Sequence, residues 1–160
     1  TGTVVLAEVL KNVNPFGLLI CFSSIYSYFG GSLLGLYSAA SRYQEQYMTL
    51  LRQTSTLKTY SLNWSVWENL GISKNHHAVE RLGYMNISLI RGMWSMMAAL
   101  STGQPSIYIG LNANKSNVHS HINGVPYAVK ILIGYYQARH RLSDENLSKI
   151  QLRDECGHTI

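Results

Sequence analysis

The chain has 160 residues, about the length of one domain, and 46% of them are apolar. No apolar run is long enough to cross a bilayer, so we expect no membrane-spanning segment. The net charge is +5, but the basic residues are scattered along the chain, which argues against nucleic acid as a partner. Cys21 and Cys156 predict no disulfide framework and favour a reducing cytoplasm.

The first half of the chain alternates helix-like and strand-like segments. Apolar residues recur at helical spacing up to about Lys11, and "NVNPFG" at 12–17 then breaks the pattern. The continuous apolar run "LLICF" at 18–22 predicts a buried parallel strand. From Ser32 to about Leu51 the apolar residues again recur at helical spacing, which predicts a second helix.

Further strand-like and helix-like segments follow in the same alternation. "LKTYSLNW" at 57–64 predicts a strand, 77–84 and 86–100 predict helices on either side of Gly83, and "SIYIGL" at 106–111 predicts a third strand. Strands and helices that alternate at these lengths predict an α/β fold with a parallel sheet and flanking helices.

The character of the sequence changes after Leu111. Residues 112–126, "NANKSNVHSHINGVP", are polar and rich in turn formers, which predicts a linker. Residues 127–160 then predict a strand and a helix of a small α+β segment, so 1–111 and 127–160 are expected to be separate units. The chain opens with Thr1 inside a helical pattern, and we therefore expect that further sequence precedes it.

Two hydroxyl side chains are predicted to meet at one edge of the sheet. Ser24 follows the strand "LLICF", Tyr37 lies early in the next helix, and Ser41 shares the helical face of Tyr37. Two hydroxyls directed at a carbonyl oxygen are what a ketone reduction needs, because negative charge grows on that oxygen and a proton must be delivered to it. A core tyrosine and a strand-capping serine would give the same pattern, and the spacing alone leaves both interpretations open.

The residues around this pair resemble a known family. "CFSSIYSYFGGSLLGLYSAASRYQEQY" and then "LKTYSLNWSVWENLG" are similar to the ketoreductase domains of modular polyketide and nonribosomal peptide synthetases, members of the short-chain dehydrogenase/reductase superfamily. Such domains typically read Phe-Ser-Ser, then Tyr-Ala-Ala-Ala-Asn, then Asn-Trp-Gly-x-Trp. The resemblance covers about residues 1–111 and implies the C-terminal half of a Rossmann-like domain.

The resemblance assigns roles to individual residues. Ser24 would hydrogen-bond the substrate carbonyl and Tyr37 would donate the proton, while Ser41 stands where the family has Asn. The other assignments concern the ligands: Asn63, Trp64 and Ser65 would pass near the nicotinamide of NADPH, Trp67 would border the substrate entrance, and Tyr26 would line the substrate channel or simply pack.

The sequence departs from the family at defined places. Ser41 is shorter than Asn and has no amide, and Ser65 adds a side chain where the family has Gly. The family's lysine would fall two residues before Thr1, and "FGGSLLG" is not the glycine-rich nucleotide loop, which would also lie upstream. These residues alone would therefore form half a site and need the upstream ketoreductase half as partner.

The tail suggests the setting of the domain. "AVKILIGYYQARHRLSDENLSKIQLRDE" at 128–155 loosely resembles the small C-terminal subdomain of adenylation domains. The combination resembles depsipeptide synthetases that load an α-keto acid and reduce it on a carrier domain's phosphopantetheine arm. The implied activity is NADPH-dependent reduction of a tethered keto-acyl thioester. A catalytically silent structural domain is the alternative, and a basic nucleic-acid binder is a third.

Three further patterns allow two interpretations each. His119 and His121 could bind a metal from an extended chain, although an exposed loop explains them better. His76 and His77 fit a loop over the site or solvated residues before a helix. The last pattern is a set of large apolar residues that fits a packed core or a mobile lid, namely Met85, Met93, Trp94, Met96 and Met97.

Overall fold

The computed structural model describes residues 2–68 and 80–122. In chain order the elements are α1 (Gly2–Val13), β1 (Leu18–Ser24), α2 (Tyr26–Phe29), α3 (Gly35–Thr54), β2 (Lys58–Trp64), β3 (Val66–Trp67), β4 (Asn86–Ile87), α4 (Leu89–Thr102), β5 (Ser106–Ile109) and α5 (Ser116–Ile122). In this part of the chain no helix is both long and apolar enough to span a membrane.

The main sheet is parallel and has the strand order β1–β2–β5. Its register pairs Ser24 with Trp64 and Trp64 with Ile109, so the three strands end together at one carboxyl edge. This arrangement confirms the predicted α/β fold with a Rossmann-like parallel sheet and flanking helices. β1 extends the predicted run to Ser24, whereas β2 begins at Lys58, one residue later than predicted, and β5 ends at Ile109, two residues earlier than predicted.

The two faces of the sheet pack against different helices. On one face, Leu19 and Cys21 of β1 form a core with Ala7 of α1 and with Met48 and Leu51 of α3. On the other face, Leu62 and Trp64 of β2 pack with Ala99 of α4. Alternation of side chains along each strand produces this division, because successive residues point to opposite faces. Burial raises the pKa of the Cys21 thiol to about 11, as expected for a small core residue.

A buried carboxylate joins α3 to the sheet. Glu45 is only 4% exposed, and its Oε1 accepts hydrogen bonds from Ser106 Oγ at 2.6 Å and Tyr108 OH at 2.8 Å, both on β5. Its Oε2 pairs with Arg42 Nη1 at 3.1 Å. Burial by itself raises the pKa of Glu45, but the hydrogen bonds from Ser106, Tyr108 and Ser27 and the charge of Arg42 outweigh it and lower the pKa below its usual value.

The same network continues into β2 and α2. Asn63 donates from Nδ2 to Ser106 Oγ at 2.9 Å and accepts at Oδ1 from Ser61 Oγ at 3.2 Å. On the other side, the Tyr108 hydroxyl lies 3.3 Å from Ser27 Oγ of α2. Each polar group in this chain of contacts has a partner, which is the condition for burying it at low cost.

Helix α4 packs against the chain that follows β2. Trp67 of β3 lies on Gly92, where an added Cβ would come within 2.2 Å of the indole ring. The helix begins at Leu89 because Ser88 is extended and its Oγ caps the Arg91 N–H at 3.4 Å. It ends at Gly103, which adopts the left-handed conformation with φ of 71°.

Two segments differ from the sequence-based expectation. The predicted helix over 86–100 is shifted, because Asn86 and Ile87 pair with β3 before α4 starts. Of the predicted helix over 77–84, residues 77–79 lie outside the described residues. Residues 81–83 form a turn, and Tyr84 bridges to Leu111. That bridge ties the end of the predicted 77–84 segment to the residues that follow β5 and competes with helix formation.

The polar stretch predicted as a linker contains a helix. Within 112–126, α5 runs from Ser116 to Ile122, and Val118 has no exposed surface because it packs with Ile25 and Tyr84. The boundary between the predicted units remains a prediction. The segment 127–160, with its resemblance to an adenylation subdomain, lies outside the described residues.

We expect Gly92→Ala to destabilise the protein. The new Cβ would overlap the Trp67 ring, and overpacking of this kind costs about 1–3 kcal/mol. Gly35→Ala is the matched control, because nothing lies within 4 Å of its added Cβ. Urea unfolding of the two variants checks this, and equal free energies of unfolding would contradict the observed packing of Trp67.

We also expect Glu45→Gln to reduce the pH dependence of stability. Folding lowers the pKa of Glu45. Its carboxylate therefore stabilises the folded state above the pKa of glutamate in the unfolded chain, about 4.3. That stabilisation is lost as the pH falls through the lower pKa that Glu45 has in the folded state. The parent should lose more free energy of unfolding between neutral and acidic pH than the variant does, as measured by urea unfolding at several pH values. Identical slopes would contradict this assignment.

Candidate active site

The carboxyl edge of the sheet holds the first predicted hydroxyl. Ser24 ends β1 and is 5% exposed, and its Oγ accepts the Tyr26 N–H at 3.3 Å. A hydroxyl that accepts one hydrogen bond keeps its own proton to donate. Ser24 is therefore held in place by the backbone while its O–H remains available to an acceptor.

A short helix directly after Ser24 shapes this edge. Ile25 extends the strand pairing by donating its N–H to the Trp64 carbonyl at 3.0 Å, and α2 then turns the chain away. It ends at Gly30, which has a φ of 66°. No helix was predicted between Ser24 and Ser32, although a Gly–Gly pair after an aromatic run is also a helix stop signal.

Tyr26 connects the two predicted catalytic residues. Its backbone N–H contacts Ser24, and its ring meets the Tyr37 ring edge-to-face with centroids 6.2 Å apart. On its other side it meets Tyr84 in the same way at 5.8 Å. Burial, followed by the neighbouring Tyr84 and Tyr37, raises the pKa of Tyr26, so this phenol stays protonated at neutral pH. Tyr26 thus packs, and it does so between the predicted serine and tyrosine.

Tyr37 and Ser41 line one open groove between α1 and α3. Tyr37 is 52% exposed, whereas Ser41 is only 6% exposed. The groove has a volume of about 360 Å³ and is also lined by Thr3 and Gln44. The Ser41 carbonyl accepts a hydrogen bond from Ser23 Oγ at 3.3 Å. Tyr37 is therefore accessible to a ligand, and Ser41 lies one turn deeper on the same helix.

The three residues predicted near the cofactor have different surroundings. Asn63 has no exposed surface and its amide is used within the Glu45 network, so its side chain is directed away from the carboxyl edge. Trp64 Nε1 and Ser65 Oγ, in contrast, are buried polar atoms without a hydrogen-bond partner among the described residues. Two unpaired donors at the end of β2 are consistent with a polar ligand group there.

The extra side chain of Ser65 is accommodated by a glycine. Gly110 follows β5 with a φ of 87°, and a Cβ added there would lie 2.8 Å from Ser65 Cβ. The Ser65 N–H also donates to the Ile109 carbonyl at 2.9 Å. Ser65 is therefore compatible with the close packing of the strand ends, even though the related family has Gly at this position.

The predicted substrate residue Trp67 lies beside this group. Its ring is half-buried and packs on Trp64 with centroids 4.7 Å apart, and Trp64 also contacts Phe22 at 5.5 Å. Residues 69–79, which include His76 and His77, lie outside the described residues.

Sequence reasoning missed the residues that support the site. Glu45, Tyr108 and Ser27 were not singled out, although Glu45 falls on the same helical stripe as the buried Ser41 and Met48. A charged residue at a buried position of a helix needs hydrogen-bond or ion-pair partners. The position of Glu45 in the sequence therefore already indicated that such partners exist.

Other predicted features have structural explanations. His119 and His121 lie on α5, not on an extended chain, so their spacing of two puts them on different helical faces. Among the described residues no group of His, Cys, Asp or Glu could hold a metal ion. Of the predicted lid residues, Met96 packs in the core while Met93, Trp94 and Met97 are partly exposed on α4.

Comparisons with known proteins agree with this geometry. Residues 1–69 match the family model of the KR domain. The chain is similar to a multidomain structure from a keto-acid-selecting nonribosomal peptide synthetase module, which contains adenylation, ketoreductase and pseudo-Asub domains. The two are 32% identical with a TM-score of 0.70, and the match covers 79% of this chain and 11% of that one. No curated protein matches the chain.

Two polyketide synthase structures share the fold at lower identity. An A-type ketoreductase is 20% identical with a TM-score of 0.65, over 78% of this chain and 30% of that one. A C2-type ketoreductase is 19% identical with a TM-score of 0.61, over 78% of this chain and 26% of that one. The chain thus spans less than a third of each of these three solved chains. The family match shows that residues 1–69 belong to a KR domain, and the structural neighbours that share its fold are ketoreductase domains of modular synthetases.

Proposed function

We propose that this chain supplies the catalytic hydroxyls of an NADPH-dependent ketoreductase that reduces a keto-acyl thioester held on a carrier domain. The observation that carries the proposal is the position of Tyr26, which contacts both Ser24 and Tyr37 at the carboxyl edge of the sheet. In parallel α/β sheets, ligands bind outside this edge.

The two hydroxyls have complementary roles. Ser24, fixed through its acceptor lone pair by the Tyr26 N–H, would donate its proton in a hydrogen bond to the substrate carbonyl oxygen. A preplaced donor of this kind stabilises the negative charge that develops there. Tyr37, half exposed in the groove, would deliver the proton that completes the alcohol.

The described residues could hold only one end of the cofactor. Trp64 and Ser65 carry the unpaired donors at the end of β2, and they would bind the amide of the nicotinamide. When bound, NADPH supplies the hydride, which no side chain can donate. The choice of NADPH over NADH rests on the family resemblance.

An α-keto acyl group is the proposed substrate class. Two observations support it: the resemblance of 128–155 to an adenylation subdomain, and the 32% identity to a module described as keto-acid-selecting. The proposed partners are a carrier domain with its phosphopantetheine arm, the upstream half of the ketoreductase domain and an adjacent adenylation domain.

A structural, catalytically silent ketoreductase-like domain is the second candidate. It is favoured by Ser41, which replaces the family's Asn with a shorter side chain that is only 6% exposed. In that case the domain would hold neighbouring synthetase domains in place without turnover.

Tyr37→Phe in a complete ketoreductase domain containing this chain tests the two candidates. We expect reduction of an α-keto-acyl thioester, followed at the nicotinamide absorbance, to fall at least about 100-fold because the proton donor is lost. Tyr47→Phe is the control, since Tyr47 is on the same helix but packs against the core outside the groove. Affinity for NADPH should be unchanged in both variants.

The outcomes separate the candidates. Turnover by the parent that disappears in Tyr37→Phe supports the reductase, whereas equal rates in both would remove Tyr37 from the mechanism. A parent that binds NADPH and is folded but reduces neither α-keto nor β-keto thioesters supports the structural candidate.

Ser24→Ala tests the second hydroxyl. Loss of one donor to a developing oxyanion typically lowers kcat about 100- to 1000-fold, and we expect a loss of this size. Ser101→Ala is the control, because the Ser101 hydroxyl bonds the Ala98 carbonyl within α4, away from the site. Similar kcat values for the two variants would contradict the role of Ser24.

A further inference from the structure

The buried carboxylate of Glu45 has no part in the chemistry proposed above, yet it lies on α3 with Tyr37 and is bonded to β5 and, through Tyr108, to α2. We propose that Glu45 is a positioning residue: it fixes α3 and α2 relative to the sheet so that Tyr37 and Ser24 both meet Tyr26. This inference rests on the proposed function, because it deepens the description of the same site.

The first step of the argument is the fixed position of α3. Glu45 Oε1 accepts from Ser106 and Tyr108 at 2.6 and 2.8 Å, so the helix is bonded directly to two residues of β5. Through Ser106 it is also connected to Asn63 of β2. A helix bonded to two strands from one buried side chain has little freedom to slide or rotate.

The second step is the connection between Glu45 and Tyr37. Tyr37, Ser41 and Glu45 are spaced by four residues, so they follow one another along one stripe of α3. Eight residues correspond to about two turns, or about 12 Å along the axis. Because a helix moves as a rigid element over this distance, a displacement at Glu45 displaces the Tyr37 phenol as well.

The third step is the connection to α2. The Tyr108 hydroxyl donates to Glu45 and lies 3.3 Å from Ser27 Oγ. Burial raises the pKa of Tyr108 to about 12, so its proton is present to donate at neutral pH. Ser27 directly follows Tyr26, whose N–H holds Ser24 and whose ring holds Tyr37. One carboxylate therefore anchors both sides of the hydroxyl pair.

A carboxylate is required, and an amide of the same size would not replace it. Both oxygens of Glu45 accept hydrogen bonds, from Ser106 and Tyr108 on one side and from Arg42 on the other. A glutamine has one acceptor oxygen and no charge, so it can accept from Arg42 or from Ser106 and Tyr108 but not from both sets. Glu45→Gln thus disturbs the network while leaving its volume unchanged.

The experiment compares Glu45→Gln with Glu8→Gln in a complete ketoreductase domain containing this chain. Glu8 also forms an ion pair at a spacing of three residues, with Lys11 at 2.6 Å, but on the exposed side of α1. Both variants are assayed for kcat and KM with NADPH and an α-keto-acyl thioester at a temperature where they are folded. Amide hydrogen exchange is measured over residues 24–41 and over α4.

We expect Glu45→Gln to lower kcat about 10- to 100-fold with KM for NADPH within about twofold of the parent, because misplacement of about 1 Å costs rate at this scale. Exchange should accelerate over 24–41 and remain unchanged in α4. Glu8→Gln should match the parent in both measurements.

Tyr108→Phe is the second variant and keeps the test decisive if Glu45→Gln does not fold. It retains the ring but removes the bond to Glu45 and the link to Ser27, while Ser106 still donates to Glu45. Exchange should therefore accelerate in α2 more than in α3, with a smaller loss of kcat. Tyr47→Phe serves again as its control.

A parental kcat in Glu45→Gln, or unchanged exchange over 24–41, would overturn the inference. So would a loss of rate matched by equal acceleration of exchange in α4, which would indicate general destabilisation. A parent without reductase activity contradicts only the proposed function, and the exchange measurement then still shows whether Glu45 fixes α2 and α3.

Discussion

The hydrogen bonds of the buried Glu45 carboxylate and its ion pair with the exposed Arg42 constrain how α3 lies on the sheet. An isolated carboxylate in a protein interior is costly, and its burial is tolerated only when both oxygens are bonded. Here β5 supplies two hydroxyl donors and Arg42 supplies a charged one. The carboxylate and its partners therefore favour one register of the helix, while the apolar contacts of Met48 and Leu51 would tolerate small shifts.

The parallel register of the strands converts that constraint into a site. Because β1, β2 and β5 end level with one another, the residues that follow them meet at one edge. Tyr26 lies there between Ser24 and Tyr37, and Ser65 fits beside Gly110 because the glycine has no side chain. The proposed chemistry thus depends on backbone geometry as much as on the reacting hydroxyls.

Membership in the ketoreductase-domain family explains why these features occur together, but it does not decide whether the domain turns over substrate. The replacement of the family's Asn by Ser41 argues for a silent domain, while the exposed Tyr37 and the retained proton of Ser24 argue for an active one.

The sequence by itself determined the three strands of the main sheet, the long helices α1, α3 and α4, the parallel α/β fold and the candidate hydroxyls, because hydrophobic periodicity and family motifs are local. The tertiary structure decided what depends on contacts between distant segments. It directed Asn63 into the interior through Ser106, 43 residues away, and joined Glu45 to Tyr108 across 63 residues. It also turned a polar stretch into α5, because Val118 finds a core in Ile25 and Tyr84 that its own neighbours in sequence cannot provide.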